Sequence, residues 1–184
     1  MYDSTLLQVL REQLKDSSPT ERQYALDRVS DLAPLDAVNL IIPLLQDKDE
    51  NVCIEAIACL RDLRDPAAIT YLIDIDETTL SQRCQENALA ALSGFTGPEV
   101  RSCLLRTLTS LQTSNIARMK IAIQLWRYVD EEVIEVLKDL VLNDNDRNVR
   151  SHAADSLELL FRVLKCPPEW TSFWNKVFED PEIG

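Results

Sequence analysis

The chain has 184 residues, 46% of them hydrophobic and 27% charged, and its 31 acidic against 19 basic side chains give a net charge of −12. Its only glycines are Gly94, Gly97 and Gly184, so neither G-x-G-x-x-G nor G-x-x-x-x-G-K-[ST] can be written, and dinucleotide and P-loop chemistry are excluded. A single histidine, His152, excludes sites that need two imidazoles, and the acidic balance opposes a nucleic-acid partner, whose phosphates require clustered Lys and Arg.

No apolar run reaches the roughly 18 residues of a membrane span, and no basic stretch precedes an apolar one at the start, so the expectation is a cytoplasmic protein with no membrane contact. Five cysteines, at 53, 59, 84, 103 and 166, include no C-x-x-C pair, which predicts reduced thiols and neither a metal site nor a cofactor.

In chain order, residues 3–16 read as one helix covering an end of the domain, and five similar segments follow: 18–46, 49–76, 81–111, 114–142 and 146–180. They align on Ala25, Ala56, Ala88, Ile121 and Ala153, at spacings of 31, 32, 33 and 32 residues. Seven residues before each centre stands Ser18, Asp49, Ser81, Ser114 or Asp146, all able to accept the free amides of a first helical turn. Pro19 after Ser18 suits the first helical position. Val29, Leu60, Leu92, Leu125 and Leu157 lie four residues after the centres, with Leu26, Ile57, Leu89, Ala122 and Ala154 one after, which is the stripe of a buried helix face. A break then leads to a second helix, opened by Pro34, Pro66, Pro98 or Glu131 and carrying Ile41, Leu72, Leu104 or Leu137 sixteen past the centre. In the fifth segment the first helix runs on through Phe161 and Leu164.

A helix pair of this length cannot bury its own apolar face, whereas stacked pairs can, so the prediction is an all-α solenoid in a single domain. Beyond the repeats, Trp170, Phe173, Trp174 and Phe178 form an aromatic helical stripe, either a hydrophobic cap on the last repeat or, through Trp170 and Trp174, an anchor for a partner. Gly94 and Gly97 are the only internal glycines, which puts the expected flex point between them.

The run Asp146-Arg-Asn-Val149-Arg150-Ser-His-Ala153-Ala154-Asp-Ser-Leu157, with a partial version from Asp49 to Ala56, resembles the D-x-x-V-R-x-x-A-A-x-x-L signature of HEAT repeats, in particular the short HEAT-like repeats of the phycobilisome (bilin) lyase type. The resemblance covers roughly residues 18–165 and implies a right-handed α-α superhelix of about five two-helix repeats with capping helices, its second helices lining a concave surface. It also implies Asp-to-Arg contacts between repeats from the column after the valine. Arg118 and Arg150 fill that column in the last two repeats, against Arg22, Cys53 and Gln85 in the others, so the N-terminal repeats are expected to stack more loosely.

On the second helices the columns fourteen, fifteen and eighteen past the centre hold Asn39, Leu40 and Pro43; Thr70, Tyr71 and Asp74; Ser102, Cys103 and Arg106; and Glu135, Val136 and Asp139. This ridge is either a solvated face with inter-repeat ion pairs or a binding groove that turns acidic along the stack, and Tyr71, Asp74, Arg106, Glu135 and Asp139 are its candidate contact residues. Residues 129–184 hold 13 acidic and 6 basic side chains, a net −7, which would attract a partner with a basic surface. No catalytic constellation stands out, His152 falling in a polar column. The leading expectation is a non-catalytic scaffold or adaptor that binds a protein. The alternative, implied by the resemblance, is a bilin lyase subunit or related phycobiliprotein-handling factor, with Tyr71, Cys103 and Arg106 beside the bilin.

Overall fold

The predicted helix starts and apolar columns translate almost column for column into structure. A computed structural model describes residues 4–75, 81–108, 113–164 and 173, and all regular elements among them are helical. They are α1 (Ser4–Gln13), α2 (Pro19–Asp27), α3 (Pro34–Ile41), α4 (Glu50–Leu63), α5 (Ala68–Ile73), α6 (Gln82–Ala91), α7 (Pro98–Leu108), α8 (Asn115–Leu125), α9 (Glu131–Asn143) and α10 (Arg147–Leu164). Short 3-10 turns follow α2, α3 and α6. The chain groups into two compact units, Met1–Val100 and Arg101–Gly184.

Capping side chains fix four of the first-helix starts. Asp49 accepts from the Asn51 and Val52 amides, Ser81 from Cys84, Ser114 from Ala117, and Asp146 from Asn148 and Val149. Ser18 departs from the expectation: its side chain makes no cap bond, while its amide donates to the Asp16 carboxylate at 2.8 Å and Pro19 stands at the first helical position, where a missing donor costs nothing. Among the second helices, α3 opens on Pro34, the Asp65 carboxylate takes the Ala67 amide just before α5, and Asp130 accepts from Val133 at the start of α9. Helix α4 ends differently, on Arg64 in the left-handed region (φ 51°, ψ 26°), a conformation that normally selects glycine.

In the first unit α4 is central, packing on α2, α3 and α6, with α1 packing on α2; Leu10 of α1 and Leu14 just after it are buried. In the second unit α8 and α9 both pack on α10. All five centres are buried, as is each residue four further on, from Val29 to Leu157. The column sixteen past the centre (Ile41, Leu72, Leu104, Leu137) is buried throughout. Each such aliphatic side chain contributes on the order of 1.5–3 kcal/mol, so these columns rather than helix propensity hold the pairs together. The column one past the centre is less uniform, since Leu89 and Ala154 are only half-buried. The long run of the fifth first helix is observed: α10 has 18 residues and buries Phe161.

The two internal glycines have separate reasons. Gly97 adopts φ +150°, which favours glycine, whereas a Cβ on Gly94 would stand 3.3 Å from Arg61 Cγ and 3.4 Å from the Arg61 carbonyl oxygen. At Gly94 the constraint is close approach to α4 rather than turn geometry, and an added Cβ would need Arg61 Cγ to yield by a few tenths of an ångström.

Candidate functional site

With the column sixteen past the centre buried, the columns fourteen and eighteen must face outward at about 100° per residue, and they do. Asn39, Thr70, Ser102 and Glu135 are exposed, as are Pro43, Asp74, Arg106 and Asp139. The intermediate column is mixed: Tyr71 is 43% exposed, Leu40 and Val136 are half-buried, and Cys103 is buried at 6%. Cys103 therefore does not belong to an open surface, contrary to expectation, because at α7 this column turns onto the packed side of the helix.

In the first unit these residues line two adjoining clefts. One, of about 330 Å³, lies between α1 and α3 and is bounded by Leu7, Arg11, Leu14 and Lys15 on one side and Asp36, Asn39, Leu40, Pro43 and Leu44 on the other. The second, of about 360 Å³, is bounded by Ile42, Pro43, Leu45, Gln46, Tyr71, Asp74 and Ile75. Pro43 borders both, and each is lined largely by apolar side chains. Two cations stand on the α1 side of the first cleft and Asp74 lines the second, which makes the lining mixed in charge rather than acidic.

The candidates in the second unit sit on helix surfaces. Glu135 is paired at 2.6 Å with Lys138, whose ammonium also lies 5.8 Å from the centre of the Phe173 ring, and Asp139 accepts from the Asn143 amide at 2.7 Å. Lys138 offsets part of the negative charge expected on α9. Arg106 is exposed. Trp170 and Trp174 lie outside the described residues. His152 stands 3.6 Å from the Asp155 carboxylate on the polar side of α10.

A second constellation is structural. Arg22 donates to both carboxylate oxygens of Asp47 at 2.7 and 2.6 Å and to the carbonyls of Asp16 and Ser17 at 2.7 and 3.2 Å. Asp47 in turn accepts from the Asp49 amide, and Asp49 caps α4. Arg118 repeats the arrangement, forking onto Asp144 at 2.8 and 3.1 Å and donating to the Thr113 carbonyl, while Asp144 accepts from the amide of Asp146, the cap of α10. Arg150 shares the carbonyl contacts, donating to those of Asp144 and Asn145. The expectation that only the C-terminal repeats keep Asp-to-Arg contacts is thus overturned: the Arg22–Asp47 pair, with side chains 4% and 8% exposed, is the most buried ion pair among the described residues. Where Cys53 replaces the arginine, its thiol donates to the Leu45 carbonyl at 3.1 Å, and burial pushes its pKa upward.

Arg101 forks onto Asp130 at 2.6 and 2.8 Å and reaches Glu132 at 2.5 Å. This guanidinium holds the Asp130 carboxyl below the usual carboxylate range. Burial pushes the Cys59 thiol up to about 12, so it is a poor nucleophile. Among the described residues no group of His, Cys, Asp and Glu could hold a metal ion, and no helix is long and apolar enough to cross a membrane.

Against protein families, HEAT repeats match at residues 7–93 and 77–158, which takes in most of the chain and all ten helices at least in part. A search of curated proteins finds no match. With helix pairs recurring every 31 to 33 residues, capped and packed through the same columns, the chain belongs to the HEAT-repeat family, an all-α solenoid fold.

Proposed function

We propose that this protein is a non-catalytic interaction scaffold that holds a segment of a partner protein along the outward columns of its second helices. The observation that carries this reading is the furrow of the first unit, where Tyr71 and Asp74 line a cleft that shares Pro43 with the one between α1 and α3. A half-exposed tyrosine over an apolar floor supplies contact area at low entropic cost, and Asp74 offers a site for a cation on the partner. Glu135 and Asp139 give the second unit a negative edge that favours a basic surface, and Arg106 is the cationic contact on α7. HEAT repeats, as stacked helix pairs, commonly serve protein interaction, which fits this reading.

The test is a photo-crosslinking residue at position 71, with position 24 as control, since Tyr24 is 57% exposed on a first helix. In native extract, adducts specific to position 71, identified by mass spectrometry, are expected. Lysine at Asp74, Glu135 and Asp139 should weaken the captured partner at least tenfold. Identical adducts from both positions, or an unchanged affinity after charge reversal, would sink the groove assignment. The bilin-handling alternative is weakened by the burial of Cys103, one of the three residues it invokes. No red-shifted visible band is expected on mixing the protein with phycocyanobilin.

A further inference from the structure

The cleft between α1 and α3 combines an apolar interior with polar groups that the fold leaves unused. Leu7 and Arg11 lie on one face of α1, and Leu14 and Lys15 continue that face into the turn after it; Asp36, Asn39 and Leu40 line the α3 wall. Leu14 and Leu44 are each 6% exposed, and Leu7 and Leu40 are half-buried, so the inner part of the cleft is apolar.

The edge is polar. Arg11 and Asn39 are exposed and Asp36 is half-buried, and none of these three side chains has an ion-pair or hydrogen-bond partner among the described residues. Arg11 and Asp36 do not pair with each other, although both border the same space of about 330 Å³. Lys15 is already engaged by Glu12 at 3.7 Å, so the free charge on the α1 wall is that of Arg11. A cation thus stands on one wall, a carboxylate and a carboxamide on the other, and leucines lie between them. Apolar walls with a few convergent polar groups are the composition of a ligand site.

We infer that this cleft takes the C-terminal residue of a partner protein, with its α-carboxylate on Arg11, its apolar side chain against Leu7, Leu14, Leu40 and Leu44, and its backbone amides on Asp36 and Asn39. The inference rests on the scaffold reading and names the end of the segment that the first unit holds. Charge complementarity requires an anion beside Arg11, and a carboxylate meets a guanidinium with two parallel hydrogen bonds. That anion must stand next to an apolar group, since the cation and the leucines share one small cleft. A terminal Leu, Ile, Val or Phe carries its carboxylate and its side chain on the same Cα. In an extended segment, by contrast, the side chains of an internal acid and its apolar neighbour point to opposite faces. Asp36 separates a peptide from a fatty carboxylate: it is half-buried without a donor, which a backbone N–H supplies and an alkyl chain cannot. The volume is at the small end of the roughly 300–1,000 Å³ of ligand sites, which suits one or two residues rather than a helix. Preceding residues would pass Pro43, which also borders the cleft of Tyr71 and Asp74.

The test passes a pooled hexapeptide library with free C-termini, and the same pool with amidated C-termini, over the immobilised full chain and reads the retained peptides by mass spectrometry. Retention from the free-acid pool should exceed that from the amide pool at least tenfold, with Leu, Ile, Val or Phe enriched at the last position. Arg11→Gln, at an exposed position, should abolish the difference with the circular dichroism spectrum unchanged, and Arg11→Lys should keep part of it. No retention, equal retention from both pools, amidated peptides retained through an internal Asp or Glu, or a preference that survives Arg11→Gln would overturn the inference. So would displacement of the peptides by decanoate at the concentration at which a free-acid hexapeptide displaces them, since the site would then take any hydrophobic carboxylate. Crosslinks at position 71 that persist while the acid preference is absent would sink this inference and leave the scaffold reading standing; absence of both would sink the two together.

Discussion

Removing the carboxylate of Asp47 should be among the most damaging single changes in the first unit. Arg22 is 4% exposed and makes four hydrogen bonds, two of them to Asp47. Asp47→Ala leaves that guanidinium facing only the two backbone carbonyls, and it deprives the Asp49 amide of its acceptor at the base of α4. Breaking one side of a buried ion pair costs about 3–5 kcal/mol, a large share of a domain's total of about 5–15 kcal/mol. Asp144→Ala removes the equivalent partner from Arg118, but that arginine is 24% exposed and can recover water, so about 1–2 kcal/mol is expected. Replacing both members by apolar side chains, Arg22→Met with Asp47→Leu, leaves no stranded charge and should cost less than Asp47→Ala alone. Urea unfolding followed by far-ultraviolet circular dichroism measures all three. Tryptophan fluorescence reports separately on the second unit, because the three tryptophans stand at 126, 170 and 174. Equal losses for Asp47→Ala and Asp144→Ala, or a double variant less stable than Asp47→Ala, would refute the argument that burial sets the cost.

Arg64→Gly should raise stability by about 0.5–1 kcal/mol in the same unfolding assay, since it relieves a side chain held in the left-handed region at the end of α4. The Asp130 carboxyl is held below its ordinary value by Arg101, so its ionised form stabilises the folded state above the unfolded pKa of about 4 and that contribution is lost as pH falls through the folded value. Asp130→Asn should therefore flatten the acid limb of the stability–pH profile below about pH 4, with the profile near neutrality keeping its slope. Cys53, Cys59, Cys84 and Cys103 should react with a thiol reagent such as dithionitrobenzoate at least tenfold more slowly in the folded protein than in urea, as read at 412 nm, because three of them are buried and the pKa of Cys59 is raised.

The repeat register was legible because the same buried columns recur five times, and a column of five apolar residues is a stronger signal than any one helix. Caps were legible as residue types but not as bonds: Ser18 has the right side chain, yet it makes no cap bond. Cys103 was misplaced because its column lies one residue from the buried one, and a rotation of about 100° can face either way depending on the neighbouring helix. The Arg22 pair is hidden in the sequence for a different reason. Its partner is not in the local motif but two residues before the next cap, where Asp47 and Asp144 match Arg22 and Arg118 while Thr79 and Gln112 match Cys53 and Gln85. Reading the arginine column against that second column would have found both pairs, since acid and base occur together or are absent together.

The same logic separates what makes this chain a HEAT-repeat protein from what makes it particular. A solenoid requires sameness where repeats touch, which explains why positions such as Ile41, Leu72, Leu104 and Leu137 vary so little in character. Outward columns carry no such constraint, so sameness there would be coincidence and difference costs the fold nothing. Information about partners must then reside in outward positions that break the pattern of their own column. Tyr71 does so beside Leu40 and Val136. A family match fixes the first kind of column and is silent on the second, so the proposed partner surface rests on departures from the repeat rather than on the repeat itself.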